Sequence, residues 1–321
     1  MKKTDDLDER VEALRQGNIR ALARTITEIE NGSRRAVDFL KALYPQTGRS
    51  WIVGVTGSPG AGKSTLTDCL AGAFRRRGHK VGIIAVDPTS PFSGGAILGD
   101  RIRMQAHGAD PGVFIRSMAT RGRLGGLAAA THDVALLLDA AGYETILVET
   151  VGVGQDEVDI IRIADVALLV LVPGMGDDVQ TIKAGLMEIG DILVLNKADR
   201  PGADKMEQEL QAMLSLGGRE DGWTPPIVRT VALDGFGIDE LLRQMDRFLL
   251  YRRDNSEAGR RRQVQACSQK LLDLLGERLL QNAMSQQLQN GQLARLAEQI
   301  LDRQIDPYTV VEEIVARTIK Q

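Results

Sequence analysis

Cysteine and histidine are scarce in this chain: Cys69 and Cys267, His79, His107 and His132 are all that 321 residues contain. No pair of them stands at a CxxC or His-cluster spacing, which excludes a structural zinc site or a dithiol redox centre. Both cysteines are expected to be buried small hydrophobes, in a reducing compartment such as the cytoplasm. Long apolar runs are missing too. Nothing approaches the roughly 18 residues that would cross a bilayer, and Met1 to Arg10 is charged from the start, without the apolar segment of a secretory signal. A strong charge bias is also absent. The formal net charge of −3 argues against a dedicated nucleic-acid binder, which is usually basic. There is no internal repeat and no low-complexity stretch.

What is present is an ordinary globular composition, 43% hydrophobic and 26% charged, over a length that suits one large domain or two modest ones. Across residues 7–44, Val11, Leu14, Ile19, Leu22, Ile26, Ile29, Val37 and Leu40 recur at helical spacing. Gly17-Asn18 and Asn31-Gly32-Ser33 punctuate the stretch, so a small set of helices is expected. Short apolar runs then alternate with helical patterns. Strands are expected at 51–56, 81–86, 113–116, 145–149, 166–172, 192–196 and 227–231. Several are apolar throughout, as strands covered on both faces would be. The expected fold is α/β: a doubly wound, mostly parallel sheet with helical extensions at both ends, binding ligands at the carboxyl ends of its strands. After Tyr251 the pattern changes. Val264, Cys267, Leu271, Leu274, Leu275, Leu279 and Ala283 recur every three or four residues within a long helix expected at 257–289. Such a helix either projects as an oligomer interface or packs back on its own domain. Two shorter helices should surround Asp306-Pro307. The expected domains are residues 1–48, 49–252 and 253–321.

Gly57-Ser58-Pro59-Gly60-Ala61-Gly62-Lys63-Ser64 follows the first strand directly and has the P-loop pattern. Its glycines let backbone N–H groups turn inward around phosphates, and the helix that follows adds its positive end. Lys63 is expected to neutralise the β- and γ-phosphates and Ser64 to ligate magnesium, with Thr65 completing the nucleotide-binding run. Asn196-Lys197-Ala198-Asp199 ends another strand. A carboxylate at Asp199 can accept from guanine's ring N–H and exocyclic amine, a donor pair that adenine lacks, so the expected nucleotide is GTP. Asp87 and Glu149 end strands that lie beside the P-loop in a doubly wound sheet, where carboxylates can hold magnesium directly or through its waters. Asp100 lies in a glycine-containing stretch that either moves with the γ-phosphate or is a plain surface loop. In Glu149-Thr150-Val151-Gly152, Gly152 could give its N–H to the γ-phosphate. The next residue, Val153, stands where Ras-like enzymes place a water-orienting glutamine. Valine cannot do this, and nothing shows that Gln155 reaches the water. Hydrolysis by the isolated chain should therefore be slow, with a partner or another loop supplying catalytic groups.

These residues sit in longer strings: Asp87-Pro88-Thr89-Ser90-Pro91, Gly94-Gly95-Ala96-Ile97-Leu98-Gly99-Asp100, Arg103-Met104, Gly125-Gly126, Glu149-Thr150-Val151-Gly152-Val153-Gly154-Gln155, Gly176-Asp177-Asp178-Val179-Gln180-Thr181-Ile182-Lys183 and Gly237-Ile238-Asp239-Glu240. With the P-loop and the Asn196–Asp199 motif, they resemble the MeaB/ArgK/MMAA family of P-loop GTPases, chaperones of adenosylcobalamin-dependent acyl-CoA mutases. The resemblance implies a SIMIBI-type G domain and a homodimer built largely through the C-terminal helical arm. It implies magnesium near Ser64, Asp87, Asp100 and Glu149. It also implies a third switch at about 174–183 in which Asp177, Gln180 and Lys183 act together with Lys63 in catalysis, Lys183 being the cation that helps the partner-activated reaction. By itself the stretch reads as a polar helix start. One departure stands out: the family's usual Ser-Ala-Leu in the guanine-supporting loop is Val231-Ala232-Leu233 here. The hydroxyl is lost, while the Ala232 N–H could still meet the guanine carbonyl oxygen.

Two other readings suit a P-loop chain. A nickel metallochaperone of the UreG/HypB kind would need Cys and His ligands close together, which this sequence does not supply. A GTP-dependent kinase would need an acceptor site or a base, and none is evident.

Overall fold

The computed structural model describes residues 2–87, 107, 110–119, 126–150, 163–174, 190–216, 219, 221–254, 256–288 and 291–319. Three helices open the chain: α1 (Lys2–Arg15), α2 (Ile19–Glu30) and α3 (Arg34–Leu43). The punctuation seen in the sequence has a physical basis. The Asn18 side chain accepts from the N–H groups of Arg20 and Ala21 to cap α2, and Ser33 accepts from Arg35 to cap α3. The alternating part follows as β1 (Trp51–Gly57), α4 (Lys63–Arg76), β2 (Val81–Asp87), β3 (Val113–Ala119), α5 (Gly126–Ala140), β4 (Thr145–Thr150), β5 (Val166–Leu171), β6 (Ile192–Asn196), α6 (Ala203–Leu216), β7 (Ile227–Thr230) and α7 (Ile238–Asp254). All seven expected strands are present, each within three residues of its expected bounds.

The strands form one sheet in the order β3-β2-β4-β1-β5-β6-β7, with every pairing parallel. This is the expected doubly wound α/β fold. On one face Val53, Val55, Leu168, Val170, Ile192 and Val194 pack with Leu66, Leu70 and Phe74 of α4 and with Leu241, Met245 and Phe248 of α7. On the other, Ile84, Val86, Ile146 and Val148 meet α5 together with Leu22, Ile26, Ile29 and Phe39 of the N-terminal helices. Leu169, Leu171, Leu193 and Leu195 meet Met206 and Leu210 of α6. Alternate residues of β5 and β6 thus enter different cores, which is why these strands are apolar at every position.

Two polar anchors hold the part of the chain that precedes β1. The guanidinium of Arg116 on β3 donates through Nε to the buried Glu30 carboxylate of α2 at 3.0 Å. The Asp139 carboxylate of α5 accepts the N–H groups of Gly48 and Ser50, at 2.5 and 3.0 Å, and so fixes the chain as it enters β1.

The chain divides into two compact units, residues 1–263 and 264–321, with the boundary inside α8 (Ser256–Gln287). The second unit continues with α9 (Gln292–Leu301) and α10 (Pro307–Ile319), the latter capped by the Asp306 carboxylate, which accepts from the Thr309 N–H and hydroxyl. The expected long helix and the two short ones are all present. Burial of both cysteines is not. Cys267 is exposed on α8 and Cys69 is half-buried on α4. The apolar face that Cys267 shares with Val264 and Leu271 stays open, those two being 56% and 68% exposed. No helix among the described residues is long and apolar enough to cross a membrane.

Candidate nucleotide-binding site

β1 lies at the centre of the sheet, between β4 and β5, and the loop that leaves it is the P-loop. Gly57 (φ 140°) passes so close to β5 that a Cβ there would lie 2.1 Å from the Val170 carbonyl oxygen. Gly62 (φ 90°) lies against β6, where a Cβ would come within 2.5 Å of Asn196 Nδ2. Only glycine allows this conformation and this proximity at either position. α4 starts at Lys63. The Lys63 ammonium, almost fully buried, folds back and donates to the carbonyl oxygens of Gly57 and Ser58, the latter at 2.9 Å. It therefore stands over the concave side of the loop, held by groups that phosphate oxygens can replace.

On the β4 side, Glu149 is paired in register with Val55 and reaches the first turn of α4, where Ser64 Oγ donates to Glu149 Oε1 at 2.5 Å. A hydroxyl and a carboxylate, both oxygen donors, suit a hard divalent cation such as magnesium. The buried hydroxyls of Thr150 and Thr56 are joined at 3.2 Å, tying the end of β4 to the end of β1. Asp87 ends β2 beside β4, but its side chain lies outside the described residues. So do Asp100, Gly152, Asp177, Gln180 and Lys183.

On the β6 side, Asn196 is buried and makes three hydrogen bonds. Its Nδ2 donates to Ala61 O at 2.8 Å, and its Oδ1 accepts from Thr230 Oγ1 and from the Ala232 N–H, each at 3.1 Å. One side chain thus connects the P-loop, β7 and the short 3-10 turn Ala232–Asp234. Lys197, in the left-handed region at φ 55°, donates from Nζ to Gly60 O at 2.7 Å. The Ala198 N–H donates to Thr230 O at 3.1 Å. Asp199 beyond it is exposed. The Ala232 N–H, read from sequence as a donor to guanine, donates here to Asn196 Oδ1. Val231 and Phe236 are bridged, and Leu233 is 85% exposed. Sequence reasoning passed over Cys69, whose Sγ donates to Ala232 O at 2.9 Å. Nothing in the local sequence signals a contact across 163 positions.

A family model described as methylmalonyl-CoA mutase-associated GTPase MeaB matches residues 22–288. The chain belongs to the MeaB family. Membership in this GTPase family accounts for the arrangement just described: the chain binds GTP and GDP and is a GTP hydrolase. Among relatives of this MeaB-family chain, a protein of Pyrococcus abyssi named as a GTPase is 49% identical over 318 residues, 98% of this chain and 97% of its own. The mitochondrial methylmalonic aciduria type A homolog of Caenorhabditis elegans is 35% identical over 272 residues, 79% of this chain and 68% of its own. A crystal structure named as LAO/AO transport system kinase superposes with a TM-score of 0.70 at 29% identity, covering 98% of each chain.

Proposed function

We propose that this MeaB-family GTPase is a chaperone that gates adenosylcobalamin loading and release on an acyl-CoA mutase such as methylmalonyl-CoA mutase, acting in the cytoplasm as a homodimer. The observation that carries the reading is the family match over residues 22–288, whose description names association with that mutase. The similarity to the methylmalonic aciduria type A homolog supports it. The exposed leucines of α8, among them Leu271, Leu272 and Leu275, support a dimer, since an apolar face of this kind is more stable covered.

In this reading residues 57–65 hold the phosphates, with Lys63 exchanging its loop carbonyls for phosphate oxygens. Gly152 donates to the γ-phosphate. Ser64, Asp87, Asp100 and Glu149 hold magnesium, which, when bound, offsets phosphate charge. Asp199 accepts from guanine, Asn196 and Lys197 brace the P-loop beneath it, and Val231, Ala232 and Leu233 border the base. Val153 cannot orient water, so the unassisted reaction is slow. Asp177, Gln180 and Lys183 contribute once the mutase reshapes their segment, and the Lys183 charge then offsets negative charge developing on the transferring phosphoryl group.

The test is GTP hydrolysis with and without a cobalamin-dependent mutase, for the parent and for Lys183→Ala. Stimulation of the parent, largely lost in the variant at a nearly intact basal rate, is expected. Equal fold stimulation of both removes Lys183 from the coupling. No stimulation of the parent by any such mutase defeats the chaperone reading and leaves the GTPase standing. The name of the structural relative raises a second reading, transfer of the γ-phosphate to a solute. Label from γ-labelled GTP found wholly in inorganic phosphate would exclude it.

A further inference from the structure

The 231–233 loop is held from two sides. Asn196 Oδ1 takes the Ala232 N–H from the β6 side, and Cys69 Sγ of α4 donates to the Ala232 carbonyl oxygen from below. The Gly235 N–H also turns back to that oxygen at 3.3 Å. In a trans peptide the carbonyl and the N–H of the same unit point in opposite directions. With the Ala232 carbonyl drawn toward α4, the N–H of Leu233 faces away from that helix, on the side where Leu233 is 85% exposed. The Ala198–Thr230 backbone bond ties the neighbouring strand ends together, so Asp199 opens beside the same loop.

We infer that Cys69 is a positioning residue for guanine recognition: it orients the 232–233 peptide so that the Leu233 N–H meets the 6-oxo group of the base. The inference rests on the role proposed above for residues 231–233. It also supplies a restraint where Val231 replaces a hydroxyl-bearing residue of the family pattern. A thiol donates only while protonated, and burial, reinforced by the neighbouring Asp68 carboxylate, pushes the Cys69 thiol above its ordinary range, so it remains a donor at neutral pH. Cys69 also packs against the core beneath the sheet, which holds its Sγ in place. The bond joins the helix that begins at the phosphates to the loop that borders the base, so it acts on binding and leaves phosphoryl transfer alone.

The experiment compares full-length parent, Cys69→Ala and Cys69→Ser in binding GTP, GDP and 2-aminopurine riboside triphosphate, which lacks the 6-oxo group and the ring N1–H but keeps the exocyclic amine, each variant being read against the parent for the same nucleotide, together with kcat at saturating GTP. Cys69→Ala should bind GTP and GDP equally more weakly, by about 3- to 10-fold, as one net hydrogen bond would set. Its kcat should not change, its affinity for the 2-aminopurine nucleotide should match the parent's, and Cys69→Ser should regain most of the loss. An equal loss for the 2-aminopurine nucleotide would show general loosening of the loop and overturn the inference, as would unchanged GDP affinity. A parent that binds the 2-aminopurine nucleotide as tightly as GTP would instead overturn the guanine-loop role itself, and this inference with it.

Discussion

Replacing Asn196 by alanine removes a side chain that bonds the P-loop, β7 and the guanine-side turn at once. Three partners lose their bond: Ala61 O, Thr230 Oγ1 and the Ala232 N–H, in residues that are each at least 97% buried. A buried polar group left without its partner costs about 1–3 kcal/mol. Even at the low end the three together come to about 3 kcal/mol, roughly a hundredfold in an equilibrium constant. That loss divides between the stability of the nucleotide-free protein and the affinity for nucleotide, because the same bonds hold the fold and shape the pocket. Denaturant unfolding without nucleotide gives the first share, and titration with a fluorescent GDP analogue at the same temperature gives the second. Their sum should reach about 3 kcal/mol. If unfolding changes by less than about 1 kcal/mol and affinity by less than about threefold, the three bonds are not the brace described here.

Asp199→Asn should weaken GTP binding by about 10² or more, leave the weak binding of ATP alone and favour xanthosine triphosphate, as competition titrations would show. Equal losses for GTP and ATP would assign the carboxylate to folding. Glu149→Ala should depress hydrolysis far more than GDP affinity, since its carboxylate meets Ser64 Oγ where the metal is assigned. Normal turnover by this variant would mean that the metal site is misplaced.

The strands are legible in the sequence because each must satisfy two cores at once: Val166–Leu171 is apolar at every position and buried at every position. Their order is not legible. β4 enters between β1 and β2, a choice made by crossovers and by the packing of α5, not by anything written in β4 itself. In the site, the glycines and Lys63 announce themselves because phosphate binding demands those residue types at that spacing. The braces do not. A cysteine on a helix reads as a small apolar residue until the chain 163 positions later brings a carbonyl to its sulfur. Asn196 reads as a ligand contact, and its three internal bonds are not visible in the sequence. Cys267 shows a different limit. The spacing of Val264, Cys267 and Leu271 places these residues on one side of α8 but does not say whether one chain covers them.

The central position of β1 has a consequence for timing. On the assignment proposed here, the γ-phosphate is sensed from the β4 side and the base is clasped from the β6 side, with the P-loop strand between them. Cleavage of the γ-phosphate changes what the first side meets and nothing that the second side meets. If that division holds, GDP should leave more slowly than phosphate, and the retained GDP would then record that turnover has happened. Exchange erases the record. On the same assignment its lifetime would depend on Asn196, Lys197 and the loop that Cys69 contacts, and the moment of writing on Glu149. Substitutions on the two sides should alter two different clocks, one for how soon a signal is given and the other for how long it lasts.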